Sequence, residues 1–229
     1  MLMAAARATQ TPQFSAANVA NPEDLARQQV GLLAAHAAGR DAIKSVRPDL
    51  PVGLSLAVQD DQVVGRDSSV RDRKRAECYG AWLEAAKQDD FIGVQNYERV
   101  VYDARGRVAP PADAPRNSQG SEIHPPSLAG AVRYVHGASG RPILVTEHGL
   151  GSADDAQRVA FIPPALAGLK AVIDAGIPVR GYIHWSLLDN FEWIFGYGPK
   201  YGLYAVDRQS FRRTAKPSAA VYAAIARRN

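Results

Sequence analysis

Cys78 is the only cysteine among 229 residues, which excludes an internal disulfide framework and a cysteine-based zinc site. No run approaches the roughly 18 uninterrupted apolar residues of a membrane-crossing helix. The opening Met-Leu-Met-Ala-Ala-Ala-Arg lacks the basic start and apolar block of a secretory leader. Together these absences predict a reducing, cytoplasmic setting and no membrane partner. Lysine is also scarce, 6 residues against 21 arginines, within a net charge of +4. The basic residues are scattered among acids and do not alternate with aromatics, so no stacking platform for nucleic acid is read. What remains is an ordinary globular balance of 46% hydrophobic and 22% charged residues, enough for a sizeable core.

Apolar runs and helical periodicities alternate along the chain. Residues 1–23 show no firm periodicity and are read as an irregular N-terminal segment, followed by one domain over 24–229. Asn21-Pro22-Glu23-Asp24 has the proline and acids of a helix start, and Leu25 to Val46 continues at helical spacing. Short strands are predicted at Val52–Val58, Phe91–Tyr97, Pro142–Thr146 and Val179–Trp185. Helices are predicted near residues 70–88, at Leu128–Gly137, at Gln157–Ala175 with an interruption at Pro163-Pro164, and at Ser218–Arg227. Cys78 falls on the apolar side of the 70–88 helix, as a buried small hydrophobe. Arg105 to Gly120, with Pro110, Pro111 and Pro115, reads as a long loop. Strands separated by helices predict a parallel sheet covered by helices or closed into a barrel. A closed (β/α) barrel needs eight strands; four strand–helix units look like half of one.

Chemistry gathers where two of these strands end. Strand Pro142–Thr146 runs into Glu147-His148-Gly149, which sets a carboxylate on a sharp turn. Strand Val179–Trp185 runs into Trp185-Ser186-Leu187-Leu188-Asp189-Asn190-Phe191-Glu192-Trp193. Indole faces stack on the apolar face of a pyranose, and carboxylates take paired bonds from vicinal hydroxyls. Read singly, Glu147 also fits a surface acid, the two tryptophans also fit a core, and Asp189-Asn190 also fits a turn cap. Of five scattered histidines, only His148 and His184 are placed near one cleft, and no ligand spacing implies a metal.

The run from Trp185 to Trp193, then Lys200-Tyr201-Gly202-Leu203, Val206-Asp207 and Arg213-Thr214-Ala215-Lys216-Pro217-Ser218, resembles the C-terminal part of glycoside hydrolase family 1. That family holds retaining β-glucosidases and β-galactosidases. The likeness runs from about residue 24 to the end and is strongest over residues 141–220. It implies strands five to eight, with their helices, of a TIM (β/α)8 barrel, and no cofactor. Glu147 matches the nucleophile of the family's Thr-Glu-Asn-Gly motif, and Tyr97 the tyrosine that bonds and orients it. Trp185 matches the platform under the sugar, while Glu192 and Trp193 match its hydroxyl-binding residues. Glu122-Ile123-His124-Pro125 resembles the family's Glu-Ile-Tyr-Pro. His148, His124 and Gln95-Asn96 depart from the pattern beside the site.

Retaining hydrolysis needs two carboxyl groups, about 5–5.5 Å apart, as nucleophile and as acid/base. The family carries the second in an Asn-Glu-Pro motif at the end of strand four, and no Asn-Glu-Pro occurs here. The resemblance therefore implies the nucleophile half of a β-glycosidase, truncated relative to the family, with a small-molecule β-glucoside as its ligand. Strands one to four would come from a complementing N-terminal half-barrel, or closure from a homodimer. Two other readings stand beside hydrolysis: an inactive carbohydrate-binding remnant, and a truncated gene product.

Overall fold

The computed structural model describes residues 2–12, 14 and 22–228. The chain divides into two compact units, residues 1–50 and 51–229. In the first, the stretch read as irregular contains a short helix, α1 (Leu2–Thr9). A 3-10 turn at Pro22–Asp24 then leads into α2 (Leu25–Val46). Arg27 pairs with Asp24 at 2.6 Å. No residue of α2 is buried, and Val30 and Leu32 on it are exposed. Asn21, read as part of the helix start, lies outside the described residues.

The second unit opens with β1 (Ser55–Ala57), then β2 (Asp60–Val63), α3 (Ser69–Arg75) and α4 (Ala81–Ala86). A π-helical turn, Ala76–Gly80, joins the two helices. Its extra residue turns Tyr79 into the core and leaves Cys78 exposed, which corrects the burial expected for that thiol. Next come β3 (Ile92–Asn96), β4 (Arg99–Asp103), β5 (Gly106–Val108), α5 (Ser127–Ser139) and β6 (Ile143–His148). The chain closes with α6 (Asp155–Asp174), β7 (Val179–His184), β8 (Tyr204–Val206), β9 (Arg213–Ala215) and α7 (Pro217–Ala226).

The four strands β1, β3, β6 and β7 form one parallel sheet in that order. Sequential order, one direction and a helical return between strands are the arrangement of half an eight-stranded barrel. The Val52–Val58 segment is shorter as a strand than expected, yet its backbone stays engaged: Asp90 N bonds Val52 O, and Val58 N bonds Gln95 O. Leu54, Val58, Ile92, Val94, Ile143 and Val145 meet Leu83, Leu128, Val132, Val135, Leu169 and Val172 from the helices, and all are buried. That is the main core.

Two expectations fail for identifiable reasons. The helix over α6 runs unbroken through Pro163 and Pro164. Proline removes a hydrogen bond to the carbonyl four residues earlier, but Pro163, Pro164 and Ala160 are exposed and Val159 half-buried, so the freed carbonyls lie on the outer side of the helix rather than in the core. The loop expected from Arg105 begins as a hairpin instead: β4 and β5 pair antiparallel, and Asp103 Oδ1 accepts from Arg105 N and Gly106 N in the turn. With β2, which pairs β4 in parallel, they form a second, three-stranded sheet. Among the described residues no helix is long and apolar enough to cross a membrane.

Candidate active site

The sheet's C-terminal ends bring together residues distant in sequence. Glu147 is near the end of β6 and Tyr97 directly follows β3, the neighbouring strand. The Tyr97 hydroxyl donates to Glu147 Oε2 at 2.5 Å. A bulge helps set this contact. The register of β3 against β6 shifts by one residue between Val94 and Gln95, so that Gln95 faces Glu147. Beneath them Ser55 Oγ and Thr146 Oγ1 lie 2.6 Å apart, and Gln95 Nε2 donates to Ser55 Oγ at 3.2 Å.

Electrostatics keep the pair in complementary roles. Burial, then the bond to Glu147 and its charge, push the Tyr97 phenol well above its ordinary value, so it remains a donor. Burial also raises the Glu147 carboxyl and the nearby Glu192 raises it further, while the Tyr97 bond pulls it down. Tyr97 thereby opposes the cost of ionising a partly dehydrated carboxyl.

Glycine permits the turn after Glu147. A Cβ on Gly149 would lie 1.8 Å from the Trp185 carbonyl oxygen, so only glycine lets β6 leave the sheet this close to the end of β7. Trp185 N donates to His148 O at 2.9 Å across the same junction. The Trp185 Nε1–H donates to Glu192 Oε1 at 3.1 Å, and Asn190 Nδ2 donates to the same oxygen at 2.6 Å. Glu192 is thus held as an acceptor beside Trp185. Trp193 begins a 3-10 turn at positive φ and is 61% exposed. It neighbours the exposed Phe191, Ile194 and Phe195.

Asp189 plays the structural part that its sequence left open. It is buried, accepts from Gly202 N at 2.9 Å and pairs with Lys216 at 2.7 Å, tying the segment after β7 to the start of α7. Arg158, which no sequence motif flagged, is fully buried on α6. It donates to the carbonyls of Leu150, Ser152 and Lys200 and pairs with Asp155. It gathers the loop after Glu147 against the segment that carries Tyr201.

The histidines do not join this cleft. His148 and His184 are the last residues of β6 and β7, and both are buried behind the site. There Tyr182 bridges them, with its hydroxyl 2.8 Å from His148 Nδ1 and 3.0 Å from His184 Nδ1. The reason is strand alternation, which turns these side chains toward the helices, where His148 stacks on Phe161 of α6 and His184 lies against Tyr222 of α7. The Tyr182 hydroxyl also lies 3.4 Å from the His148 carbonyl oxygen. Burial lowers His148 to about 3 and His184 to about 4. Among the described residues no group of three or more His, Cys, Asp or Glu side chains gathers to hold a metal.

The profile of glycosyl hydrolase family 1 matches residues 83–229. A β-galactosidase of Sulfolobus acidocaldarius is 29% identical over 231 residues, which cover 86% of this chain and 47% of that protein. A solved β-glucosidase designated 1317 superposes with a TM-score of 0.89 at 39% identity, over 98% of this chain and 55% of that one. The β-glycosidase of Thermosphaera aggregans superposes with a TM-score of 0.84 at 28% identity, over 92% of this chain and 50% of that one. The chain spans about half the length of the relatives it matches.

Proposed function

The chain belongs to glycosyl hydrolase family 1, and from this we propose that it carries the nucleophile half of a retaining β-glycosidase site for β-glucosides and related β-glycosides. The observation behind this is the Tyr97 hydroxyl donating to Glu147 at 2.5 Å, beside Trp185 Nε1–H donating to Glu192 at 3.1 Å. In this reading the Glu147 carboxylate attacks the anomeric carbon and the bond to the leaving-group oxygen breaks. A glycosyl ester forms on Glu147, and water then cleaves it. Trp185 forms the floor under the pyranose, Glu192 accepts from its outer hydroxyls, and Trp193 contributes from the rim.

The leaving oxygen needs a proton, and general acid catalysis is worth about 10²–10⁴-fold. Glu192 is engaged as an acceptor from two donors, so it is poorly suited to giving one. In this reading the acid belongs to strands one to four, the N-terminal half-barrel that these residues do not include and that would add parallel strands beside β1 and β7. A second copy of this chain would close the sheet there without supplying the Asn-Glu-Pro carboxyl.

The test uses a substrate that needs no acid. Incubation with 2,4-dinitrophenyl 2-deoxy-2-fluoro-β-glucoside, followed by intact mass and peptide mapping, is expected to show one fluoroglycosyl group on Glu147. None should form in Glu147→Gln. A folded chain that forms no adduct overturns the reading. If that chain still binds glucosides, and loses binding in Trp185→Ala, a sugar-binding role stands in its place.

A further inference from the structure

Tyr97 is held from behind. The ring of Tyr201, buried at 6% exposure, meets the Tyr97 ring edge-on at a centroid distance of 5.8 Å and an angle of 80°. The Tyr201 hydroxyl is in turn engaged by Gln119, whose Nε2 lies at 2.9 Å and Oε1 at 3.1 Å. Gln119 belongs to the segment between β5 and α5, and that segment is fixed in place. Asn117 Oδ1 accepts from Gln119 N and Ser121 N, while Ser118 N donates to Gly151 O at 2.8 Å. The approach is close enough to demand glycine: a Cβ on Gly151 would lie 2.8 Å from Tyr201 Cζ and 3.0 Å from Ser118 Oγ.

We infer that Tyr201 is a positioning residue for Glu147, acting through Tyr97, and that Gln119 is the latch that fixes Tyr201. This rests on the reading of Glu147 as the nucleophile. A phenol can align its bond to a carboxylate only if its ring is held, and the edge-on contact with Tyr201 holds the Tyr97 ring rather than the bond. The segment carrying Gln119 thus has a direct mechanical line to the nucleophile. Besides Tyr97, the ionisable group that acts on Glu147 is Glu192, whose charge also reaches Tyr97 and Tyr201, as that of Glu98 reaches Tyr201.

The test follows the Glu147 carboxyl itself. In protein carrying 13C at glutamate Cδ, the Glu147 resonance is assigned by its loss in Glu147→Gln and titrated in the parent, Tyr97→Phe, Tyr201→Phe, Tyr201→Ala and Gln119→Ala. A hydrogen bond to the charged form lowers a carboxyl's titration point, so Tyr97→Phe is expected to raise the Glu147 midpoint by about one pH unit. Tyr201→Ala is expected to raise it nearly as far and to add nothing in combination with Tyr97→Phe. Tyr201→Phe, which keeps the ring, and Gln119→Ala, which is exposed and leaves the core alone, are expected to give smaller rises equal to each other. If Tyr201→Ala does not fold, these last two decide. Midpoints unchanged in both, or a Tyr201 effect additive with that of Tyr97, overturn the inference. Because the titration needs no substrate, a parent that fails to form the glycosyl adduct yet shows these shifts sinks the glycosidase reading alone. A parent that forms the adduct but shows no shifts sinks the positioning alone.

Discussion

In β3 and β6 the side chains of Ile92, Val94, Ile143 and Val145 are wholly removed from water, whereas Ile183 of β7 is 52% exposed and Ser55 and Ala57 of β1 are exposed. All four strands are parallel and all return through helices. The difference comes from the face each side chain joins: Ile92, Val94, Ile143 and Val145 turn toward the helices, as do Leu54, Val58 and His184 at the outer strands, all buried, whereas Ser55, Ala57 and Ile183 alternate to the opposite face. Among the described residues β3 and β6 have a strand on either side, while β1 and β7 each have one. The inner pair carries the Tyr97–Glu147 contact, and the helix-facing side chains of all four strands share the core. The outer pair presents unpaired backbone groups, which are a standing template for adding another strand.

The largest effect that would break this contrast is Ile143→Ala, which leaves a cavity in the inner sheet and is expected to cost about 2–4 kcal/mol. The change is read as a shift of the urea midpoint at unchanged slope. Gly149→Ala is next. It pushes a methyl group into the Trp185 carbonyl, and overpacking of this kind costs about 1–3 kcal/mol. Here the cost falls on the junction of β6 and β7, so glycosyl labelling of Glu147 is expected to drop more steeply than stability.

Behind that junction, pH provides a milder test. The folded chain keeps His148 and His184 neutral down to about 3 and about 4, while in the unfolded chain each titrates near 6.5. Between those values the unfolded state binds more protons. Their contribution is therefore complete above pH 6.5 and is lost as the pH falls, at up to roughly 1.4 kcal/mol per unit for each ring. Asp61 works in the opposite sense. Burial raises it to about 6, so the folded state binds the extra proton between its unfolded value and that point, and stability drops as the pH rises through the window. Urea midpoints between pH 4 and 7 should rise with pH, and more steeply in Asp61→Asn. A flat profile in both proteins would show that the histidine cluster is hydrated.

The smallest effect on stability belongs to the outer pair. Ile183→Ala is expected to change it by less than about 0.5 kcal/mol. Ile183→Lys should leave it equally unaffected while suppressing self-association in light scattering, because a charge on an open edge discourages strand addition. A large loss of stability in Ile183→Ala would mean that β7 is covered in solution.

The main sheet was legible in the sequence because its strands are short apolar runs set between helical periodicities. Ile143 to Val145 and Ile92 to Val94 carry that signal plainly. The second sheet was hidden, since Asp60-Asp61-Gln62 reads as a polar connection. Its strand character comes only from pairing with Arg99–Asp103, and its two aspartates are buried by tertiary packing. The β4–β5 hairpin did leave a trace in Asp103-Ala104-Arg105-Gly106, a turn that the proline-rich stretch behind it obscured. Cys78 and the His148–His184 pair were misplaced for a related reason. A single residue of phase, from a π-helical turn or from strand alternation, decides which face a side chain joins.

Family membership, the carboxylate at the strand end and the aromatic run after β7 were determined by the sequence, because they depend on residue types in a fixed local order. Only the tertiary structure decided which of these groups meet. The one-residue shift between β3 and β6 sets Gln95 opposite Glu147, and the glycine at 149 lets the ends of β6 and β7 touch. Tyr201, Gln119 and Arg158 enter the site's support from segments far apart in the chain, and contacts of that kind have no local signature because they exist only once separate strands have been brought to a common edge.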